Sequence, residues 1–541
     1  MNDSQDELRR LASSISDPRQ VLFRQHLSAE QLLEFVQAPE HAFKDVKQWL
    51  SEAGIPTSDI LLGGNVVEAM TNVSTAETLL NTTYNVYVDD EGTTVIRTKV
   101  YDLPKKLQDA VTFVSPTTVL PVPRKQRLLA DINPDSQVNK RQASCGANDQ
   151  TTPACVRQIY NITYTPKPNR TTFAVCATEA ALYSSSDLKA FLQTYNPPAT
   201  DAEYTVIGSG NSSNGSPGIG GAFETALDTQ TALGLAWPAQ GILYNLGGVF
   251  GPNKGEIYDP FVQFLQDLIH NDTVPSVVSF SESMPENQMN PEYAKSLCDM
   301  MMQVGTRGVT LLFSSGDNGP QGDQPTGTHK NIFEPEFPAS CPWVTAVGGT
   351  TNMVNETAAT QDTLTGLINK LSYTASGGGF SELFSRPSYQ DSAVTPYISN
   401  KIPASYASKS GFNPAGRGIP DISAFSTSFP VIWNGIPIPI GGTSASTPLW
   451  AAVIALLNDY EASKGRPSLG FINPWLYSLE GGGGLKDITT GWNSKGACYL
   501  LGGCTLSETD GFDVVEGWDP VTGLGSPIWN ELVASLDSLA A

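Results

Sequence analysis

The chain has 541 residues, 40% of them hydrophobic, with 49 glycines and 38 prolines, which suits a loop-rich globular protein of two or three domains. Its 54 acidic and 32 basic residues give a formal net charge of −22, which argues against nucleic acid and anionic membranes as partners. No apolar run approaches the roughly eighteen residues that a membrane-spanning helix needs. The acidity suits a protein working at low pH, where carboxylates protonate and repulsion falls, and equally serves solubility.

Glu7–Ser14, Ala29–Gln37 and Glu40–Ala53 carry helical, amphipathic patterns. Thr83–Val88 and Thr93–Lys99 read as strands joined by Asp89-Asp90-Glu91-Gly92, a hairpin signal. A polar linker, Leu129 to Pro153, contains the dibasic pair Lys140-Arg141. That pair reads either as a processing site giving a mature chain near Gln142 or as two solvated bases, and self-cleavage nearby is a further alternative. Beyond Pro153, Thr205–Gly208, Ser276–Ser281, Val309–Ser314 and Trp343–Val347 read as strands, and Glu224–Leu235, Asp259–Leu268 and Glu292–Val304 as helices. Such alternation implies a parallel sheet covered on both faces, with functional groups at the carboxyl ends of its strands.

Asn-x-Ser/Thr sequons stand at Asn2, Asn72, Asn81, Asn161, Asn169, Asn211, Asn214, Asn271 and Asn355, the Asn214 one weakened by Pro217. They point to secretion, yet the N-terminus is polar and has no apolar signal core. The expectation is a secreted chain whose signal peptide has been replaced by Met1. Seven cysteines cannot all pair. Proximity suggests Cys145–Cys155, Cys298–Cys341 and Cys498–Cys504, leaving Cys176 free, although sequence alone leaves connectivity open. No Cys/His spacing suggests zinc.

Candidate chemistry lies in three places. Gly441-Gly442-Thr443-Ser444-Ala445-Ser446-Thr447-Pro448 follows an apolar segment and precedes a run of helical period, so Ser444 sits at a Gly-bounded turn opening a helix. There a hydroxyl nucleophile is presented beside backbone N–H groups that can stabilise an oxyanion. A serine needs a base, and the four histidines are poorly placed. His26 and His41 lie in the N-terminal region, His270 directly precedes the Asn271 sequon and so is expected on the surface, and His329 lies in a polar loop. Carboxylates fill the gap. Glu224 and Asp228 are four apart and share a helix face, alone no more than a solvated pair. Asp317 follows a buried-type β run in Ser315-Gly316-Asp317-Asn318-Gly319, alone an ordinary turn residue.

Together these three resemble the sedolisins, the acid serine-carboxyl peptidases, which include the tripeptidyl peptidases. Further similar segments are Phe337–Thr350, Ser376–Ser381, Gly416–Ala424, Asp487–Gly491 and Gly517–Gly523. The likeness is strong over residues 160–541 and looser in the N-terminal third, where Asp17-Pro18, His26–Gln31 and Trp49–Ile55 resemble the family's pro-domain.

The resemblance implies an α/β, subtilisin-like parallel sheet with helices on both faces, preceded by a smaller α+β pro-domain. The implied domains are 1–128 (pro-domain), 129–153 (linker) and 154–541 (peptidase). It implies that Ser444 is the nucleophile, Glu224 the general base, Asp228 the group orienting Glu224, and Asp317 the oxyanion-hole acid. A carboxylate base titrates below histidine, and an Asp must be protonated to donate to an oxyanion, so activity is expected only in acid. It also implies a calcium ion held by Asp487 and Asp519 carboxylates and the carbonyls of Ile488, Val515 and Gly517, the oxygen-only shell a hard cation prefers. Family members usually have Gly at the Val515 position, so Val515 must not need positive φ.

In the strand lining the cleft, Glu282 and Ser283 stand where the family often has an aromatic residue and Gly. Glu282 then favours a basic side chain or a free peptide N-terminus, or is a solvated loop charge. The expectation is a secreted, monomeric zymogen acting on peptides, with its pro-domain as intramolecular inhibitor, and releasing tripeptides as the fungal members do. Internal cleavage is the alternative, and a catalytically silent binding protein is a second, disfavoured because all four catalytic positions are filled.

Overall fold

A computed structural model describes residues 3–63, 65–88, 94–118, 145–146, 150–177, 184–208, 221–246, 260–322, 333–360, 374–408, 411–493, 498–499, 503–504 and 511–539. The N-terminal helices are α1 (Asp3–Ser16), α2 (Ala29–Val36) and α3 (Glu40–Glu52). In α1, Leu8, Ala12 and Ile15 recur at helical spacing on one face and are buried. α2 starts at a capping box, in which the Ser28 hydroxyl accepts from the Gln31 amide (3.1 Å) and the Gln31 side chain accepts from the Ser28 amide (2.9 Å). The hairpin is present as β1 (Asn85–Val88) against β2 (Thr94–Arg97), with Val86 opposite Ile96. Its turn and the dibasic pair lie outside the described residues.

These elements divide between two cores. Val46, Leu50, Ile55, Ile60, Leu79 and Leu107 form a small core of their own. Leu8, Ala12, Leu32 and Val36 instead join a core of the C-terminal part. The N-terminal region thus rests on two helices embedded in the body that follows it.

That body is built on β3 (Thr172–Ala177), β4 (Thr205–Ile207), β5 (Gln240–Asn245), β6 (Val277–Phe280), β7 (Thr310–Ser314), β8 (Thr345–Thr351) and β9 (Ile422–Phe425). They pair in the order β4-β5-β3-β6-β7-β8-β9, all parallel, with Thr357–Ala358 antiparallel on β8. The helices α4 (Gly221–Ala236), α5 (Pro260–His270), α6 (Pro291–Thr306) and α7 (Thr443–Ser463) cover it. Alternation along β3 shows the layering. Phe173, Val175 and Ala177 face the core shared with α4 and α7, while Ala174 and Cys176 face the one shared with α5 and α6. Strands buried on both faces read as continuous apolar runs, which is why β6 and β7 are legible in the sequence.

Cys145–Cys155 and Cys298–Cys341 are bonded, and Cys176 is free and buried. Cys498 stands opposite Cys504 in a short antiparallel pair, and their side chains lie outside the described residues. His270 is half-buried rather than on the surface, its ring bonded to Gln266 (2.6 Å), because it closes a helix packed against the sheet.

Candidate active site

Ser444 is the second residue of α7 and is 7% exposed. A β-carbon at Gly442 would lie 2.9 Å from Asp317 Oδ2, so the glycine permits that carboxyl to approach the helix start. Pro448 stands four residues after Ser444 and has no N–H to complete the helical bond to the Ser444 carbonyl. That carbonyl accepts instead from the Ser281 hydroxyl, at 3.4 Å. The proline therefore frees a main-chain oxygen at the nucleophile for a side chain of the neighbouring strand end.

Ser281 follows β6 at the carboxyl edge of the sheet. Its hydroxyl donates to Asp228 Oδ1 (2.8 Å), and its carbonyl accepts from Ser444 Oγ (3.4 Å). Asp228 is 1% exposed, and its Oδ2 has no hydrogen-bond partner among the described residues. Burial raises its proton affinity well above the ordinary carboxylate range, the charges of Glu224 and Glu282 raise it further, and the Ser281 bond opposes them. Glu224 and Glu282 are both half-buried, one a helical turn before Asp228 and the other directly after Ser281. α4 packs along α7, which sets the carboxylate pair beside the nucleophile helix.

Asp317 follows β7. Its Oδ1 accepts from the Thr443 amide (2.6 Å), the Thr443 hydroxyl (3.0 Å) and the Thr374 hydroxyl (2.7 Å). The turn is clamped by the segment 374–377. Ala375 N donates to Asp317 O (3.0 Å), Gly377 N to Gly316 O (2.8 Å) and Gly319 N to Ala375 O (3.0 Å). A β-carbon at Gly377 would stand 2.1 Å from the Ser315 carbonyl, so only glycine fits there. Oδ1 is thus occupied by three donors, and Oδ2 lies on the Gly442 side.

The structure thus gathers Ser444, Asp228 and Asp317, with Glu224, at the carboxyl edge of the sheet. Three contributors were not legible as such: Ser281, Thr443 and Thr374. Each stands inside or beside a quoted motif, but its partner lies 53, 126 or 57 residues away. The one available signal was the position of Ser281 at a buried strand's end. Of the histidines, His41 is exposed, His26 is half-buried against the end of α7, and His329 lies outside the described residues.

At the far C-terminus, Asp519 is buried. Its Oδ1 accepts from Val521 N (3.1 Å), Thr522 N (2.8 Å) and Thr522 Oγ1 (3.2 Å), and its Oδ2 from Val515 N (3.1 Å). Asp487 Oδ2 accepts from Gly517 N (2.8 Å), which ties the 487 loop to the 515–519 loop. Burial pushes Asp519 up to about 8. Val515 is absent from the residues with positive φ, whereas Gly517 has φ +85, so the backbone accommodates a valine at 515. Two carboxylates and neighbouring carbonyls make an oxygen-only donor set that fits a hard cation.

Comparison with known proteins agrees with this architecture. A family model described as the pro-kumamolisin activation domain matches residues 2–120, and the subtilase family model matches residues 205–468. A probable tripeptidyl-peptidase SED2 of Arthroderma benhamiae is 34% identical, over 96% of this chain and 88% of its own. The tripeptidyl-peptidase SED2 of Arthroderma otae is 33% identical over the same shares. Pseudomonas sedolisin, a serine-carboxyl proteinase solved with two molecules of pseudo-iodotyrostatin, shares the fold at TM-score 0.52 and 24% identity, over 72% of this chain and 98% of that one. Fold and sequence define a subtilisin-like peptidase carrying its own activation domain. Within that class the chain belongs to the sedolisin family of serine-carboxyl peptidases.

Proposed function

We propose that the protein is a secreted zymogen that matures in acid and removes tripeptides from free peptide N-termini, with Ser444 as nucleophile. The observation that carries this reading is the chain of contacts from Asp228 through Ser281 to Ser444, with Asp317 bonded to the residue before the serine. Glu224 takes the Ser444 proton as Oγ attacks the scissile carbonyl and later returns it to the leaving amine. Asp228 holds and polarises Glu224. Asp317, protonated on Oδ2, donates to the oxyanion, and a water then releases the acyl group. The Ser444 hydroxyl, directed here at the Ser281 carbonyl over a long 3.4 Å, turns toward Glu224 when substrate binds.

The tripeptidyl reading draws on the relatives, whose names describe tripeptidyl peptidases, and on Glu282. This half-buried charge lies near enough to Asp228 to raise its proton affinity, and so suits an ammonium group anchored in the cleft. Secretion is supported by the sequons: Asn72, Asn81, Asn161, Asn169, Asn271 and Asn355 are all exposed. For calcium, Asp487 and Asp519 with the carbonyls of Ile488, Val515 and Gly517 form the ligand set. Bound there, the ion supplies rigidity rather than chemistry. A β-carbon at Gly378 would lie 1.8 Å from the Pro520 carbonyl, so the loop carrying Asp519 abuts the segment that clamps Asp317.

The test is cleavage of one long unstructured peptide, free or acetylated at its N-terminus, by matured enzyme at about pH 4, where carboxylates are half protonated. Successive tripeptides from the free peptide alone are expected. Internal fragments from both forms would replace this reading with an endopeptidase, and no products from either would favour a binding protein. Glu282→Gln is expected to raise KM for free N-termini, and an unchanged KM would remove Glu282 from substrate recognition.

A further inference from the structure

The end of α7 opposite Ser444 holds a second cluster of buried polar groups, and half of it comes from the activation domain. Arg24 adopts a left-handed conformation (φ 60), a strained choice for a non-glycine residue, which turns the chain inward after α1. Its guanidinium donates to Glu461 Oε2 (2.7 Å) and to the Ser468 carbonyl (3.1 Å). Glu461 is fully buried and also pairs with Arg466 (2.7 Å). Two residues on, the His26 ring bonds the same Ser468 carbonyl through Nε2 at 2.8 Å, and the Leu27 amide donates to the Thr306 carbonyl (2.9 Å).

The peptidase part is shaped to receive that ring. A β-carbon at Gly308 would come within 2.7 Å of His26 Cδ2, and one at Gly470 within 2.6 Å of His26 Cε1. Two glycines, both at positive φ, therefore line a socket the width of an imidazole. A carbonyl can only accept, so Nε2 carries the hydrogen and Nδ1 is the bare nitrogen. Nδ1 is buried and has no hydrogen-bond partner among the described residues. The socket thus fits neutral histidine. A proton added to Nδ1 would create a buried charge with a donor and no acceptor, the most costly arrangement for a polar group.

We propose that Arg24–Leu27 is an acid-labile latch, which holds the activation domain to the base of the peptidase domain while His26 is neutral and lets go when His26 takes up a proton. Charged groups on the surrounding elements are Arg24 on the same turn, Glu461 and Arg466 at and after the end of α7, Arg307 at the end of α6, and the Arg9–Asp299 pair between α1 and α6. Arg24 acts on the imidazole directly and opposes a second positive charge. Burial, the largest influence, lowers the proton affinity of His26, the Ser468 carbonyl opposes that, and Arg24 adds to it. A free pro-segment would bind the proton near the ordinary value of about 6.5. Docking is therefore at full strength above that pH and weakens as pH falls through it, about tenfold for each further unit until the docked imidazole itself protonates.

The inference rests on residues 2–120 being an activation domain and not on the peptidase chemistry. Its test therefore uses the full-length Ser444→Ala chain and needs no turnover. Hydrogen exchange of peptides spanning residues 17–37, corrected for intrinsic rates, is followed from pH 7.5 to pH 4. Protection is expected to collapse below about pH 6.5, and His26→Gln, which keeps a donor for Ser468 but cannot titrate, is expected to hold it to lower pH. The same collapse in His26→Gln would overturn the latch. If that variant fails to fold, the four histidines are labelled at Cε1, and His41→Gln, His270→Gln and His329→Gln assign the His26 signal by elimination. His26 is expected to stay neutral while the segment is protected and to titrate as protection is lost; titration near 6.5 with protection intact would refute the proposal.

Discussion

α7 carries a buried carboxylate cluster at each end, and the two ends treat charge in opposite ways. At its start, Asp228 lies beside the charges of Glu224 and Glu282 and accepts from the Ser281 hydroxyl. At its finish, about 26 Å away at 1.5 Å per residue, Glu461 lies between Arg24 and Arg466. A buried carboxylate beside other carboxylates holds its proton to higher pH, whereas a carboxylate clamped between guanidiniums stays compensated. Acid therefore favours the proposed chemistry at one end and loosens the proposed latch at the other. One helix thus joins the proposed chemistry to the proposed latch, and in a zymogen the two would act in concert.

The largest expected effect belongs to the first end. Ser444→Ala should lower acid peptide hydrolysis about 10⁴-fold or more and abolish self-shortening, while α1 and α2 stay docked at neutral pH. Residual turnover near that of the wild type would remove Ser444 from the chemistry. Asp317→Ala should lower kcat about 10²–10³-fold. Asp317→Asn should fall less, because an amide accepts on one side and donates on the other, as a protonated carboxyl does; equal losses would mean that Asp317 acts by packing alone.

Stability sharpens the contrast. Asp228 binds its proton more tightly folded than unfolded, so its contribution is complete below about pH 4 and is lost as pH rises toward its raised native value. Asp228→Asn should therefore melt higher than the wild type at pH 7, by roughly 2 °C or more, and the difference should vanish at pH 3, while acid activity is lost. A difference independent of pH would refute the assignment. Chelation of calcium should destabilise the wild type by about 2.7 kcal/mol relative to a solution at a hundred times Kd, and Asp519→Ala should abolish that response. A chelator-insensitive melt would remove the ion. The smallest effect lies at the second end, where Arg9 and Asp299 are each about a third exposed. Arg9→Ala should cost no more than about 1 kcal/mol, measured by denaturant unfolding, unlike the buried Arg24.

Local pattern made much of the molecule readable. The apolar runs of β6 and β7, the β1–β2 hairpin and the helical period after Ser444 are properties of neighbouring residues, and the structure keeps them within a few positions of where the sequence puts them. The chemistry at Ser444, Asp228 and Asp317 was suggested by residue type in recurring motifs. Ser281 and Thr374 were not singled out, because a serine beside a strand or a threonine before glycines has no local mark of its partner.

Sequence by itself determined the periodicity, much of the alternation of strand and helix and the types of reacting group, because these follow from backbone sterics and from burial repeated every two or every 3.6 residues; it did not mark β3, β5 or β9, nor the order of strands in the sheet. Only the tertiary structure decided which carboxylate meets which hydroxyl, that Pro448 leaves the Ser444 carbonyl for Ser281, and that α1 and α2 belong to the peptidase core. It alone showed that Gly308 and Gly470, 162 positions apart in the chain, close on His26. Such contacts depend on how whole layers stack, and proton affinities depend on the burial that stacking creates.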